Sequence, residues 1–347
     1  MAPVSDVDGL IDLDALARWM DSSGLGAGPI DEVTTLSGGT QNIVIRFRRA
    51  GRQFVLRRPP IHSGPAHDDS IRREARILSA LRATDVPHPH LIGACDDTEL
   101  LGTAFYLMEP VDGFNPADGL PAQYAIVDDA QRLMSLSLVD ALATLSRVDP
   151  FEAGVAVPGR ADGWCERQVA RWITQLNSYE QFHGWPGGAI DNLVEVQYQL
   201  SVHSDVSFQP GLVHGDFHIA NVMFRHDQPE VAAIVDWELA TFGDPLLDLG
   251  HLLATWPRAD GRGSAATVLD LPGLASGEEL VEHYARRSSR SVEDLDWYYS
   301  LACLRLGVLL EGTYARACAG LVPLDVGRHF HDMTVALFEQ ALHRFDW

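Results

Sequence analysis

The stretch Gly211-Leu-Val-His-Gly-Asp-Phe-His-Ile-Ala-Asn-Val-Met-Phe224, followed by Val231-Ala-Ala-Ile-Val-Asp-Trp-Glu238, decides the fold. Two short apolar runs each lead to an acid, Asp216 and Asp236, and Asn221 lies five residues beyond the first acid. Transfer of a phosphoryl group needs a carboxylate to orient the attacking hydroxyl, plus an amide and a second carboxylate to hold magnesium. The spacing therefore predicts Asp216 as the catalytic base and Asn221 and Asp236 as the metal ligands.

Composition and charge limit the classes of function open to the chain. Its 347 residues, 46% of them hydrophobic, are enough for two cores, and we expect an N-terminal domain over 1–110 and a C-terminal domain over 111–347. The net charge of −22 disfavours nucleic acid as a partner, because nucleic-acid binders need basic surface to displace counterions. Either a monomer or a homodimer is compatible with this composition.

The cysteines and the N-terminus predict a cytoplasmic protein. The four cysteines lie far apart without a CxxC pair, which indicates neither a zinc site nor a disulfide framework. The first residues carry acids where a signal peptide carries bases, and no apolar run approaches membrane-spanning length. We therefore expect a reducing compartment and no membrane partner.

An antiparallel meander is predicted upstream, with strands at about Val33–Leu36, Ile43–Arg49 and Gln53–Arg58. A glycine loop joins the first two strands, and a glycine pair in that position is compatible with a plain hairpin turn. A flexible glycine loop between two strands also covers the phosphates in kinase-like folds, and the position favours that role. The residues predicted to contact phosphate are Ser37, Gly38, Gly39 and Thr40.

The third strand supplies a candidate cation. Side chains alternate along a strand, so Val55 and Arg57 share one face, where they suit an adenine ring and the phosphates. Arginine stands where many kinases use lysine, and the chain contains no lysine. A helix predicted at about Ser70–Arg82 offers Glu74 as the partner of Arg57 in a charge-assisted pair. The alternatives are an exposed edge-strand arginine and a surface pair of Glu74 with a neighbouring arginine.

A strand predicted at Ala104–Glu109 is followed by Pro and Gly, a pattern typical of a hinge between lobes. Backbone groups near Glu109 and Val111 are placed to pair with an adenine edge, an inference from position alone. Farther on, Asp244 and Asp248 are predicted to accept hydrogen bonds from backbone amides and to brace the catalytic loop. Helices are predicted at about Ala130–Val148, Trp164–Tyr179, Asp294–Ala319 and Val326–Arg344, with a loop-rich region at 256–293.

These motifs resemble those of the aminoglycoside phosphotransferase-like kinases. The resemblance rests on His214-Gly-Asp216 with Asn221 and on Val235-Asp236-Trp-Glu238, and it extends over nearly the whole chain. The segments Phe54–Pro60, Tyr106–Gly113 and Tyr298–Arg316 look most like the branch containing the kinase domains of acyl-CoA dehydrogenase family members 10 and 11. The resemblance implies an α+β, bilobal protein-kinase-like fold. Its N-terminal lobe has an antiparallel sheet with one αC-type helix, and its C-terminal lobe is mainly helical.

The resemblance also implies ATP-dependent phosphorylation of a small-molecule hydroxyl with Mg²⁺. In that reaction Asp216 is the base, Asn221 and Asp236 hold the metal, and Glu74 is the helix carboxylate. The branch suggests a hydroxyacyl-CoA-type substrate, whereas the acidic charge would suit an aminoglycoside or another amine. A pseudokinase that binds nucleotide or acyl-CoA without turnover is the alternative of another class, and the intact catalytic and metal residues argue against it. A protein kinase is disfavoured because no long activation segment follows Asp236.

Overall fold

The computed structural model describes residues 10–36, 42–60, 64–154, 161–257, 266, 269 and 271–343. The described chain forms two compact units. The first unit contains the residues up to Asp112 together with Ala233–Glu238, and the second contains Gly113–Ala232 and the residues from Leu239 onward. A short segment far along the chain, which carries Asp236, therefore belongs to the same unit as the N-terminal strands.

The first unit is built on a five-stranded antiparallel sheet with the strand order β1-β2-β3-β5-β4. The elements are α1 (Leu13–Ser22), β1 (Ile30–Thr35), β2 (Ile43–Arg49), β3 (Arg52–Arg58), α2 (Pro65–Leu81), β4 (Leu91–Cys95), α3 (Thr98–Leu101) and β5 (Phe105–Met108). Helix α1 buries Leu16 and Met20 in one cluster with Phe54 and Leu56 of β3. Alternation along β3 therefore puts Val55 and Arg57 on the opposite face of the sheet, as the sequence predicted.

Helix α2 begins earlier than the predicted start at Ser70. Pro65 stands in the first turn after Gly64, and proline suits that position because its missing N–H has no helical partner there. Glu74 lies on the buried face of the helix, between Ile71 and Leu78. Strand β4 was not predicted, because its run of five residues is interrupted by Gly93.

The second unit is mainly helical. Its elements are α4 (Ala130–Leu145), α5 (Trp164–Asn177), α6 (Leu193–Val202), β6 (Gly211–Val213), β7 (Val222–Phe224), β8 (Val231–Ile234), β9 (Thr241–Gly243), α7 (Leu246–Ala254), α8 (Gly277–Arg287), α9 (Leu295–Cys318) and α10 (Leu324–Leu342). Strands β6 and β9 form one short ladder, and β7 pairs with β8, whose first two residues belong to this unit. The four helices predicted in this half of the chain are confirmed as α4, α5, α9 and α10.

Helix α9 is the central element of this unit and packs against α5, α7 and α10. Gly250 of α7 allows the close approach, because a Cβ there would lie 2.8 Å from the carbonyl oxygen of Tyr298. Helix α8 lies inside the region predicted to be loop-rich. It begins with a capping box in which Ser276 and Glu279 satisfy each other's backbone N–H groups, a sequence signal that would have predicted it. None of the described helices has the length and apolar character needed to cross a membrane.

Candidate active site

Arg57 is the centre of a cluster of buried and partly buried charges in the first unit. Its Nε lies 2.9 Å from an oxygen of Glu74, and its Nη2 lies 2.6 Å from Asp236 Oδ1 and 3.4 Å from Glu238 Oε2. The side chain of Glu74 is fully buried, and it also accepts a hydrogen bond of 3.0 Å from the Tyr106 hydroxyl. The pairing of Arg57 with Glu74 that the sequence predicted is present, and two further carboxylates join it.

Burial and neighbouring charges shift the pKa values of Arg57 and Glu74 in opposite directions. Burial raises the pKa of Glu74 to about 7, although Arg57 and the Tyr106 hydroxyl act to lower it. Burial alone would lower the pKa of Arg57, but Glu74 and Asp236 outweigh it and hold the pKa above its ordinary value. The guanidinium therefore stays charged, and the three acids around it are stabilised by one shared cation.

Backbone geometry at the end of β8 presents Asp236 to Arg57. The N–H of Ile234 donates to the carbonyl of Pro87 at 2.9 Å, which fixes the end of the strand within the first unit. Asp236 then adopts φ 65°, a left-handed conformation that few residues other than glycine take up. Such strain is concentrated at functional positions, which makes this aspartate a notable residue on backbone grounds alone.

Glu238 is a member of the cluster that sequence reasoning missed. One of its carboxylate oxygens, Oε2, accepts a hydrogen bond of 2.9 Å from Asn42 Nδ2 and contacts Arg57, and Arg73 donates to its carbonyl oxygen. Its position two residues beyond Asp236 was the available signal, since the predicted site already included that aspartate.

The other predicted nucleotide contacts have different outcomes. Ser37, Gly38, Gly39 and Thr40 lie outside the described residues. Val55 is buried in β3 opposite Arg46 and Met108. The N–H of Glu109 donates to the carbonyl of His90 at 2.9 Å, and its half-exposed carboxylate pairs with Arg52 at 2.8 Å. Val111 follows in an irregular segment of intermediate exposure.

The second unit holds Asp216 in a dense set of hydrogen-bond donors. Asn221 Nδ2 lies 2.9 Å from both the carbonyl oxygen and Oδ2 of Asp216, so the amide fixes the backbone and the side chain together. His251 Nε2 lies 3.2 Å from Oδ1, and His218 Nε2 lies 3.5 Å from Oδ2. Sequence reasoning brought Asp216 and Asn221 together and missed both histidines.

The histidines determine the charge of Asp216. Burial by itself would raise the pKa of this carboxyl, but the hydrogen bonds from His218 and His251 outweigh burial and hold the pKa well below its usual range. Burial lowers the pKa of His251, against the attraction of Asp216, so this imidazole is neutral near pH 7. The result is an ionised carboxylate with fixed orientation, which is what a base in proton transfer requires.

Asp248 fixes the backbone of the loop that leads to Asp216. Its two carboxylate oxygens accept hydrogen bonds of 2.6 Å and 2.8 Å from the N–H groups of His214 and Gly215. Asp244 similarly accepts from the N–H groups of Gln209 and Leu246, at 2.7 Å and 3.0 Å. The prediction that both aspartates brace backbone amides is confirmed.

Gly215 is required by the same loop. Its φ is +87°, and a Cβ would lie 2.5 Å from the carbonyl oxygen of Leu239. Only glycine combines this backbone conformation with so close an approach. Burial raises the pKa of Asp248 below it to about 7, against the two amide donors.

The predicted metal ligands each keep one oxygen available for a hard cation. Asn221 is held through its nitrogen, which leaves Oδ1 as the atom that could coordinate a metal. Asp236 contacts Arg57 through Oδ1, and its side chain is 34% exposed, which leaves Oδ2 accessible. Oxygen ligands of this kind, few in number, suit Mg²⁺, which is held by one or two protein groups together with phosphate oxygens and water. Within the described ranges, no group of three or more His, Cys, Asp or Glu residues could hold a metal.

Known protein sequences resemble this chain over most of its length. A sequence model of the phosphotransferase enzyme family matches residues 32–287. Acyl-CoA dehydrogenase family member 11 of Rattus norvegicus is 31% identical over 300 residues, which cover 83% of this chain and 37% of the rat protein. Acyl-CoA dehydrogenase family member 10 of Mus musculus is 27% identical over 339 residues, which cover 94% of this chain and 30% of the mouse protein. The chain thus spans less than two fifths of the length of these curated relatives.

Solved structures share the fold. A crystal structure from Ralstonia eutropha JMP134, provisionally assigned as an aminoglycoside phosphotransferase, superposes with a TM-score of 0.76 at 27% identity, covering 95% of this chain and 98% of that one. The GDP complex of aminoglycoside 2′-phosphotransferase-IIIa superposes with a TM-score of 0.64 at 17% identity, covering 94% and 99%. The predicted α+β, protein-kinase-like fold class is thereby confirmed.

Proposed function

Because the chain belongs to the phosphotransferase enzyme family, we propose that it transfers the γ-phosphate of ATP to a hydroxyl group of a small molecule. The observation that carries this proposal is the environment of Asp216. Its carboxylate is ionised, oriented by Asn221 and His251, and mounted on a loop braced by Asp248. A carboxylate held in this way is suited to accept a proton from an alcohol.

The reaction proposed is an in-line displacement. The hydroxyl oxygen of the acceptor forms a bond to the γ-phosphorus while the bond from that phosphorus to the β,γ-bridging oxygen breaks, and ADP leaves. The proton of the hydroxyl passes to Asp216. Much of the acceleration in such reactions comes from positioning, which the hydrogen bonds of Asn221 to both the backbone and the side chain of Asp216 would provide.

The first unit is proposed to bind the nucleotide. Arg57, held by Glu74, would bind phosphate oxygens, since a guanidinium binds phosphate through two parallel hydrogen bonds. Val55 would contact the adenine, and the N–H of Val111 would pair with its edge, because the N–H of Glu109 is already bonded to His90. Ser37, Gly38, Gly39 and Thr40 remain predicted phosphate contacts.

Magnesium is proposed as the metal, with Asn221 and Asp236 as its protein ligands. When bound, Mg²⁺ neutralises charge on the phosphate oxygens. Asp236 currently bonds Arg57 at 2.6 Å, so we expect this aspartate to divide its two oxygens between the cation and the guanidinium. The cytoplasm is the proposed compartment, a choice supported by four cysteines that are not joined in disulfides.

For the acceptor, we propose a hydroxyacyl-CoA or a related hydroxylated acid derivative. The similarity to acyl-CoA dehydrogenase family members 10 and 11 supports this class. An aminoglycoside or another amine is the second candidate, supported by the Ralstonia structure at 27% identity and by the net charge of −22. A pseudokinase that binds nucleotide or acyl-CoA without turnover is the alternative of another class.

The proposal is tested by replacing the base. Asp216→Asn keeps the size and the contact with Asn221 but removes the negative charge. We expect ATP-dependent phosphorylation, followed as ADP release with a panel of hydroxyacyl-CoAs and aminoglycosides, to fall at least about 100-fold, the range typical of general-base loss. Nucleotide affinity, measured by calorimetry, should change little because Arg57 lies in the other unit. Phosphorylation within a few-fold of wild type would disprove the assignment, and an inactive wild type that still binds ATP would favour the pseudokinase.

A further inference from the structure

Arg305 is a buried cation of the second unit, and one of its nitrogens donates no hydrogen bond to a described residue. It lies in α9 with 5% of its surface exposed, and its Nη1 makes no hydrogen bond to a described residue. Arginine is rarely buried to this extent without a bonded partner, because removing its charge from water is costly. The position therefore calls for an explanation beyond packing.

The guanidinium lies beside the backbone that precedes the proposed base. Its Nη2 is 3.1 Å from the place that a Cβ on Gly215 would occupy. Asp216 and Asp248 are the carboxylates that attract it. Both already have donors of their own: Asp248 bonds two backbone N–H groups, and Asp216 is bonded by Asn221 and contacted by two histidines.

Trp172 of α5 adds a second donor to the same place. The Arg305 guanidinium carbon lies 5.4 Å from the centre of the Trp172 ring. Trp172 is 8% exposed, and its indole N–H has no hydrogen-bond acceptor among the described residues. Neither group can accept a hydrogen bond, so a molecule that binds here must supply acceptor atoms. Two buried donors thus lie close together with no acceptor among the described residues, and one of them adjoins the backbone of Gly215.

We propose that Arg305 and Trp172 form a subsite for an acyl oxygen of the phosphate acceptor, either a carboxylate or a thioester carbonyl. The inference rests on the proposed function and specifies which part of the acceptor the second unit recognises. Because Arg305 adjoins the Gly215–Asp216 backbone, the acyl oxygen must lie close to the hydroxyl that receives the phosphoryl group. A cationic acceptor would place ammonium groups near a buried guanidinium and is disfavoured.

The test compares three acceptors that share one hydroxyl and differ at the acyl position, together with one cationic acceptor of another class. The probes are 3-hydroxybutyrate, its CoA thioester, the neutral 1,3-butanediol and the cationic kanamycin. Each is assayed by ADP release with wild type and with Arg305→Gln. The matched control is Arg316→Gln, which removes an exposed arginine from the same helix. The KM for ATP is measured in parallel.

We expect wild type to prefer the acyl acceptors over the diol and kanamycin. Arg305→Gln should lower kcat/KM for the two acyl acceptors by about 10-fold to 100-fold, chiefly through KM, as expected for a hydrogen bond from a charged donor. In Arg305→Gln, kcat/KM for the diol and the KM for ATP should change by less than about threefold. Arg316→Gln should match wild type with every acceptor. Loss with 3-hydroxybutyrate alone identifies a carboxylate as the ligand, and loss with both the acid and its CoA thioester identifies an acyl oxygen of either source.

Two results would overturn the subsite and leave the proposed function standing. One is a wild-type enzyme that phosphorylates kanamycin or the diol but neither acyl acceptor, and the other is an Arg305→Gln variant indistinguishable from Arg316→Gln. If wild type phosphorylates none of the probes and no other hydroxyl compound, the proposed function itself fails. If Arg305→Gln does not fold, Trp172→Phe decides. It removes the indole N–H while keeping an aromatic ring of smaller size, and an unchanged KM for both acyl acceptors would refute the subsite.

Discussion

Removing Arg57 should destabilise the first unit strongly and in a pH-dependent way. The substitution Arg57→Met keeps a long apolar side chain but leaves Glu74, Asp236 and Glu238 without their shared cation. Glu74 is fully buried and cannot recover its hydration. Removing one partner of a buried ion pair costs about 3–5 kcal/mol, and we expect a loss in that range at pH 8.

Replacing Glu74 instead of Arg57 should destabilise the first unit less. Glu74→Gln leaves Arg57 with Asp236 at 2.6 Å, and the Tyr106 hydroxyl keeps an oxygen to which it can donate. The expected cost is about 1–3 kcal/mol, the range for one altered buried hydrogen-bonding group. As a control, Arg46→Met on the adjacent strand replaces an exposed arginine, and a change of no more than about 0.5 kcal/mol is expected there.

The pH dependence follows from the sign of the Glu74 shift. Burial already raises the pKa of Glu74 to about 7 in the folded protein, above the value of about 4.3 in an unfolded chain, and losing Arg57 raises the pKa further. A carboxyl of this kind favours the folded state below the unfolded pKa, and that contribution is lost as pH rises through the folded pKa. The deficit of Arg57→Met should therefore shrink as the pH is lowered from 8 to 5.

Hydrogen–deuterium exchange is the appropriate assay, because two compact units need not unfold in one transition. Protection of the amides in β3 and α2 is compared for wild type, Arg57→Met, Glu74→Gln and Arg46→Met at pH 5.5 and 8, with rates corrected for intrinsic exchange. Equal protection in wild type and Arg57→Met, or a deficit that grows on acidification, would show that the charge cluster does not stabilise this unit as argued.

Two further predictions concern the second unit. Asp248→Ala leaves the N–H groups of His214 and Gly215 without an acceptor, so we expect a loss of about 2–4 kcal/mol and at least a tenfold lower kcat, with nucleotide affinity unchanged in calorimetry. Full activity in this variant would mean that the loop does not depend on Asp248. Ser276→Ala removes the capping box of α8 and should cost about 1 kcal/mol, seen as faster amide exchange in the first turn of that helix with unaltered kcat. Unchanged exchange there would contradict the capping role.

The parts of the site that local pattern encodes were predictable. Alternation along β3 assigned Val55 and Arg57 to one face, and Glu74 was assigned to Arg57 because it is the one carboxylate among the neighbouring arginines of its helix. Asp248 was expected to brace backbone amides because short acids at the start of a helix commonly accept such bonds. Each inference relies on periodicity or on residues close in sequence, and folding does not change these local relations.

Sequence reasoning missed elements and site residues whose contacts are distant in sequence or whose local pattern is weak. Strand β4 is a short run interrupted by Gly93, and its pairing with β5 is what makes it a strand. His251 lies on a helix in which every residue is buried, so periodicity could not single it out as the imidazole that contacts Asp216. Glu238 lies two residues beyond Asp236, a predicted metal ligand. Its place in the site depends on its contacts with Arg57 and Asn42, which are distant in sequence.

The sequence by itself determined the fold class and the chemical identity of the residues in the predicted site, because strand alternation, helix periodicity and the spacing of Asp216, Asn221 and Asp236 are local properties of the chain. Only the tertiary structure decided which charges are satisfied. In the folded protein three carboxylates surround Arg57, whereas Nη1 of Arg305 makes no hydrogen bond to any residue that the structure describes. The physical reason is that the free energy of a buried charge depends on the atoms brought around it from distant parts of the chain.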